Sequence, residues 1–174
     1  AFDKVAKFYD LGFPGGVAID KLSQSGDASA FLFPGPMLDR TEHPYDMSYS
    51  GLKTAVINQR EKFKNGDKED TPENIAASFQ RQAVGILMKR VKLALKDTGL
   101  KRIAAGGGVA ANSFLRSELK DLEKGGYIVS FPSLKLCTDN GAMVAGLGYR
   151  YLLDGYFDDE SLSASARVSA FKSF

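Results

Sequence analysis

The run Arg102-Ile103-Ala104-Ala105 reads as a strand, the Gly106-Gly107-Gly108 after it as a turn, and Val109-Ala110-Ala111-Asn112-Ser113-Phe114-Leu115 as the start of a helix. The rhythm then repeats. Tyr127-Ile128-Val129-Ser130-Phe131 is β-rich, Pro132 through Cys137 is loop, and Thr138-Asp139 opens a helix that continues to about Leu153. Strands alternating with helices argue for an α/β layer architecture. With 174 residues, 44% of them hydrophobic, the chain can bury one sizeable core, and one domain is the default.

Upstream, helices dominate. Ala1 to Phe8 reads as helix with no capping residue before it, and the first residue is not Met, so the chain is expected to begin inside a longer polypeptide. That helix should end near Gly12, where Phe13-Pro14-Gly15-Gly16 turns into a second helix, Val17 to Leu22, carrying Asp20. Ala30-Phe31-Leu32-Phe33 is predicted as a strand stopped by Pro34-Gly35-Pro36, the stretch through Asp46 as loop, Met47-Ser48-Tyr49 as a short strand and Ser50 to Ile57 as helix. The charged segment from Glu61 to Asp70 reads as a solvated connection.

The best-marked helix spans Pro72 to Lys96. Thr71 can cap it, Pro72 suits its first position, Glu73 complements its dipole and Gly99 can stop it. Ile75, Phe79, Ala83, Ile86, Leu87, Val91, Ala94 and Leu95 recur at three and four, giving one apolar stripe for core packing. Residues 156–174 are rich in serine and lack firm periodicity, so they are set apart as a tail.

Charge and composition narrow the function. Lysine plus arginine number 23 against 21 acids, and a net charge of +2 is too weak a field to argue for nucleic acid by itself. The single cysteine, Cys137, has no partner for an internal disulfide, which fits a reducing, cytoplasmic location. No run approaches the roughly 20 apolar residues that a membrane span requires, and no leader pattern opens the chain, so neither membrane insertion nor secretion is expected. The only histidine is His43, which excludes a complete histidine-based metal site within these residues. Without a G-x-S-x-G segment, a self-contained Ser-His-Asp hydrolase is excluded as well.

Several residues can carry chemistry, each with a structural alternative. Gly106, Gly107 and Gly108 let backbone approach a ligand at a helix start, where free N–H groups attract a phosphate or ribose; a tight turn without ligand explains them equally well. If a ligand packs there, a methyl group at Gly107 should obstruct it more than it harms the fold. Asn112 can bond a base or ribose, or serve as a local cap. Asp139 can be a metal ligand or, the commoner role for an Asp at a helix start, a cap. Asp3 and Asp20 are isolated carboxylates, and most of these simply face water. Cys137 is expected to be an uncharged buried thiol.

Taken in order, Ala1-Phe2-Asp3-Lys4, Pro14-Gly15-Gly16, Ser48-Tyr49-Ser50-Gly51-Leu52-Lys53-Thr54-Ala55, Ile75-Ala76-Ala77-Ser78-Phe79-Gln80, Gly106-Gly107-Gly108-Val109-Ala110-Ala111-Asn112 and Cys137-Thr138-Asp139-Asn140 resemble the TsaD family, also called Gcp, YgjD or glycoprotease. The resemblance covers about residues 1–154. It implies the C-terminal half of an actin-like fold, that of the sugar kinase, heat-shock protein and actin superfamily, in which two α/β domains clasp a nucleotide. Residues 1–155 would then be the C-terminal portion of that domain pair.

What the resemblance implies about function is specific. Members transfer a threonylcarbamoyl group from threonylcarbamoyl-adenylate to the adenosine beside the anticodon of tRNA. By motif match Asp3, Gly16, Asp20 and Asn112 fall at substrate-binding positions, with Gly106, Gly107 and Gly108 as the loop that would hold the adenylate. Asp139 matches the one metal ligand of this half. The family's other two ligands, histidines of an H-x-x-x-H motif, lie upstream of Ala1, so the chain is expected to be inactive alone. The implied cofactor is one divalent metal ion, iron by resemblance with zinc or magnesium as alternatives. Implied partners are tRNA and TsaB-like and TsaE-like proteins, with no membrane. The competing readings are a noncatalytic TsaB-like scaffold, a kinase of the same superfamily, and the metallopeptidase of the family's older name. The Cys-Thr-Asp-Asn and Ser-Gly-Leu-Lys segments favour the catalytic branch over the scaffold.

Overall fold

A computed structural model describes residues 1–33, 44–58 and 69–163. Its elements run α1 (Phe2–Phe8), α2 (Gly15–Leu22), α3 (Ser50–Asn58), α4 (Pro72–Thr98), β1 (Arg102–Ala104), a 3-10 turn (Gly108–Ala111), α5 (Ser113–Asp121), a 3-10 turn (Leu122–Gly125), β2 (Ile128–Ser130), a 3-10 turn (Leu134–Leu136) and α6 (Gly141–Leu153). The chain divides into two compact units, Ala1–Thr138 and Asp139–Phe174. The start expected for the tail, residue 156, therefore falls inside the second unit.

Helix α4 is the spine of the first unit. Its 27 residues reach about 40 Å at 1.5 Å per residue. The local signals for its ends act as expected: Thr71 Oγ1 accepts the Asn74 N–H at 3.2 Å, Pro72 takes the first turn, and Gly99 leaves the helix at φ 69°. The apolar pattern, however, serves two cores instead of one stripe. Ile75, Ala76, Phe79, Ala83 and Ile86 pack with Val5, Leu11, Ile19, Phe31, Phe33, Leu52 and Val56 from the preceding helices and loops. Val84 and Met88 pack with Leu115 and Leu119 of α5, joined by Leu87, Val91, Ile103 and Val129. A helix covered on both sides buries more than one face, which is why Ala76, Val84 and Met88 lie inside although the single stripe omitted them.

Two predicted strands are absent. Residues 30–33 and 47–49 have no strand pairing. The Phe31 N–H is donated to Ser78 Oγ at 3.1 Å and the Tyr49 hydroxyl to the Ala83 carbonyl at 3.3 Å, so these segments are tied to α4. Phe31, Phe33 and Tyr49 pack into a helical core. The segments Pro34-Gly35-Pro36, most of Glu61 to Asp70, and residues 164–174 lie outside the described residues.

Downstream, the alternation does produce an α/β layer. β1 and β2 pair in parallel with Arg102 opposite Ile128, Ile103 opposite Val129 and Ala104 opposite Ser130. The half-buried Ile103 and Val129 fasten this small sheet to α4 and α5. In the second unit α6 starts two residues after Asp139 and is capped by Asn140, whose Oδ1 accepts the Met143 N–H at 3.1 Å. Among the described residues no helix is long and apolar enough to cross a membrane.

Candidate functional site

The first unit contains a cavity of about 590 Å³ whose walls include Asp3 of α1, Pro14, Gly16, Val17 and Asp20 at α2, Gly108, Val109 and Asn112 around the glycine turn, and Leu134. Five residues singled out from the sequence thus meet: Asp3, Gly16, Asp20, Gly108 and Asn112. Gly106 and Gly107 lie on the same turn, and it is Gly108 that reaches the wall.

Helix ends bring them together. The first N–H groups of a helix have no partner within it, and here carboxylates from other helices supply one. Asp3 Oδ1 accepts the Gly15 N–H at 2.8 Å, at the first residue of α2. Close approach makes this possible: a Cβ on Gly15 would stand 2.6 Å from Asp3 Cα. Asp20, near the end of α2, does the same for α5. Its Oδ1 accepts from Ser113 Oγ at 2.8 Å, and both carboxylate oxygens accept the Ser113 N–H at 3.1 Å. Each negative charge also sits at the positive end of a helix dipole. Neither carboxylate merely faces water.

Asn112 is the N-cap of α5, with Oδ1 accepting the Leu115 N–H at 2.9 Å. The capping role open to it in the sequence is therefore real, yet it accounts for only half of the side chain. Nδ2 donates to Asp20 Oδ1 at 3.0 Å and to Gln80 Oε1 at 2.7 Å. At 9% exposure the amide is nearly enclosed, and its lining of the cavity is a matter of one edge.

The glycine turn makes a demand of its own. Gly107 has φ 81° and ψ 171°, a region that only glycine occupies without strain, and its carbonyl accepts the Ala110 N–H at 2.9 Å. Backbone geometry alone calls for glycine there, whether or not a ligand packs against it. Gly108 has no such constraint, and the nearest atom to an added Cβ is Thr138 Cγ2 at 3.9 Å.

The cavity is chemically one-sided. Two carboxylates offer hydrogen-bond acceptors and repel a phosphate placed beside them, while Val17, Val109 and Leu134 expose apolar surface. Vicinal hydroxyls next to a flat apolar ring match that combination. Among the described residues no three His, Cys, Asp or Glu side chains are grouped to hold an ion, and His43 lies outside them. Asp139 is exposed at the start of the second unit, and the capping role considered for it belongs to Asn140.

Gln80, Ser113 and Arg116 were not picked out from the sequence. Gln80 and Ser78 interrupt the apolar run around Phe79, and a polar residue at a core-facing position was the available signal. Arg116 donates from Nε to Ala110 O at 2.6 Å and from Nη2 to Pro132 O at 3.0 Å and Cys137 Sγ at 3.2 Å, so it ties the glycine turn to the loop after β2. Cys137 is buried, as expected.

The family model described as TsaD, tRNA N6-adenosine threonylcarbamoyltransferase, matches residues 1–146. A tRNA N6-adenosine threonylcarbamoyltransferase of Treponema denticola is 59% identical over 171 residues, covering 98% of this chain and 50% of the relative. Proteins of the same name from Borrelia hermsii and from Treponema pallidum subsp. pallidum are 49% and 48% identical, with 99% and 98% of this chain covered and 50% and 48% of theirs. The chain spans about half the length of the curated relatives it matches.

Proposed function

Because the chain belongs to the TsaD family, tRNA N6-adenosine threonylcarbamoyltransferase, we propose that it is the half of such an enzyme that holds the nucleoside of an adenylate substrate. In this reading the full-length protein transfers threonylcarbamoyl from threonylcarbamoyl-adenylate to the N6 amine of a tRNA adenosine. The amine attacks the carbamoyl carbon, the bond from that carbon to the phosphate oxygen breaks, AMP leaves with the electron pair, and the amine loses a proton to solvent.

The observation that supports the reading is convergence. Asp3, Gly16, Asp20 and Asn112, matched to the family's substrate positions from separate stretches of sequence, line one cavity large enough for a nucleoside. Asp20 and Asp3 would accept hydrogen bonds from the ribose hydroxyls, and Val17, Val109 and Leu134 would flank the base. Carboxylate repulsion would turn the phosphate away from Asp3 and Asp20. The finer fold, half of an actin-like domain pair, belongs to the same proposal and is supported by the α/β order with its parallel strands.

Asp139 would supply one ligand to a divalent ion, iron by resemblance, with the remaining ligands from the rest of the polypeptide. When bound, such an ion would supply Lewis-acid polarisation of the carbamoyl carbonyl and stabilisation of the leaving phosphate. Partnership with tRNA and with TsaB-like and TsaE-like proteins completes the proposal.

Isothermal titration of full-length protein with AMP tests it. Asp20→Ala and Asp3→Ala should each weaken binding by about tenfold, roughly 1.4 kcal/mol. Wild-type affinity in both folded variants would overturn the assignment of the cavity to the nucleoside.

A further inference from the structure

We infer that Gln80, from the middle of the first unit's core, is a positioning residue that sets the orientation of Asn112 and Asp20 in the cavity. The inference rests on a closed ring of hydrogen bonds through α2, α4 and α5. Gln80 Oε1 accepts from Asn112 Nδ2 at 2.7 Å, and Gln80 Nε2 donates to Ser23 Oγ at 2.7 Å. Ser23 Oγ in turn donates to the Asp20 carbonyl at 2.9 Å. Asn112 Nδ2 closes the circuit on the Asp20 carboxylate at 3.0 Å.

The direction of every bond follows from its neighbours. Asn112 must present Oδ1 to the Leu115 N–H, so its NH2 group faces Asp20 and Gln80. An ionised carboxylate only accepts, which agrees with that orientation. Gln80 must then show its oxygen to Asn112 and its NH2 to Ser23, and the Ser23 hydroxyl is left to donate to the Asp20 backbone. Reversing one amide would set donor against donor or acceptor against acceptor elsewhere in the ring. Gln80 is 4% exposed, so water cannot take its place cheaply.

A buried glutamine that only filled space would need no such chain. This one is linked to the Asp20 side chain through Asn112 and to the Asp20 backbone through Ser23, without lining the cavity itself. Removing it would leave an Asn112 hydrogen without an acceptor and the Ser23 hydroxyl without its donor, so that both of the groups bonded to Asp20 from this side lose their support.

The role, as far as it concerns a ligand, rests on the nucleoside reading of the cavity; the orientation of Asn112 can be measured without one. In full-length protein selectively labelled with 15N-asparagine, the Asn112 side-chain NH2 resonance, identified by its loss in Asn112→Ala, should move clearly in Gln80→Met and less in Ser23→Ala. AMP affinity should fall about five- to tenfold in Gln80→Met, the loss of one or two buried hydrogen bonds. Gln80→Met combined with Asn112→Ala should bind AMP no more weakly than Asn112→Ala alone, because the first change acts through the second residue. An Asn112 resonance unmoved in folded Gln80→Met, or losses that multiply in the double variant, would overturn the inference. Should Gln80→Met fail to fold, an unmoved resonance in Ser23→Ala would overturn it instead. A resonance that moves in a protein that binds no AMP supports the positioning role and removes the nucleoside reading.

Discussion

Asp20 holds the start of a helix that begins 93 residues later in the chain, its Oδ1 accepting from Ser113 Oγ at 2.8 Å. The bond joins the all-helical half of the first unit to the α/β half, beside the cavity that both help to line. Asp20→Ala should therefore cost stability as well as ligand. Loss of charge-assisted bonds at a helix N-terminus is worth about 1–2 kcal/mol, to be read from urea unfolding of full-length wild type and variant. Asp20→Asn keeps the shape but cannot accept at both oxygens, and should fall between them. An unfolding midpoint unchanged in Asp20→Ala would show that the bond to Ser113 contributes nothing.

The glycine turn separates fold from ligand at adjacent positions. Gly107→Ala should destabilise by about 1–3 kcal/mol through its backbone conformation, whatever the ligand does. Gly108→Ala should melt close to wild type, since an added Cβ finds only Thr138 Cγ2 at 3.9 Å. If the turn holds the adenylate, Gly108→Ala should weaken AMP by about tenfold. Normal binding by a well-folded Gly108→Ala protein would leave the triplet as a turn and nothing more.

Asn140 takes the capping role that the sequence alone left open to Asp139, so the proposed ligand role of Asp139 can be tested apart from the cap. Asn140→Ala should lower stability by about 1 kcal/mol through loss of the α6 cap, with metal content of the full-length protein intact. Asp139→Asn should do the reverse, lowering metal content by elemental analysis while leaving the melting temperature in place. Full metal occupancy in Asp139→Asn would remove it from the ligand set.

Tyr49 gives a pH signature. Burial pushes its phenol above the ordinary 10.0, so the folded state keeps a proton that the unfolded chain releases first. Its contribution to stability is whole below the unfolded value and is lost as pH rises through the folded one. Unfolding free energies measured between about pH 9 and about pH 11 should fall more steeply in wild type than in Tyr49→Phe. Parallel curves would show that Tyr49 ionises as easily folded as unfolded.

What the sequence determined by itself was local. Thr71, Pro72 and Gly99 mark the ends of α4 because caps and breakers act within one helical turn, and the glycine-punctuated alternation from Arg102 onward marks the α/β layer because its period is short. Family motifs located Asp3, Gly16, Asp20 and Asn112 without saying what each touches. Tertiary structure decided the rest. Ala30 to Phe33 has strand-like composition but lies against α4, where Ser78 takes its N–H, and no neighbouring residue announces that partner. Asp3 and Asp20 became caps of other helices, and Gln80 the hub of a ring, through contacts from 12 to 93 residues apart. Hydrogen bonds between distant side chains leave no periodicity behind them, since each needs only one polar residue at one buried position. That is why the residues could be named from motifs, while the cavity they line and the bonds that orient them appear only once three helices have met.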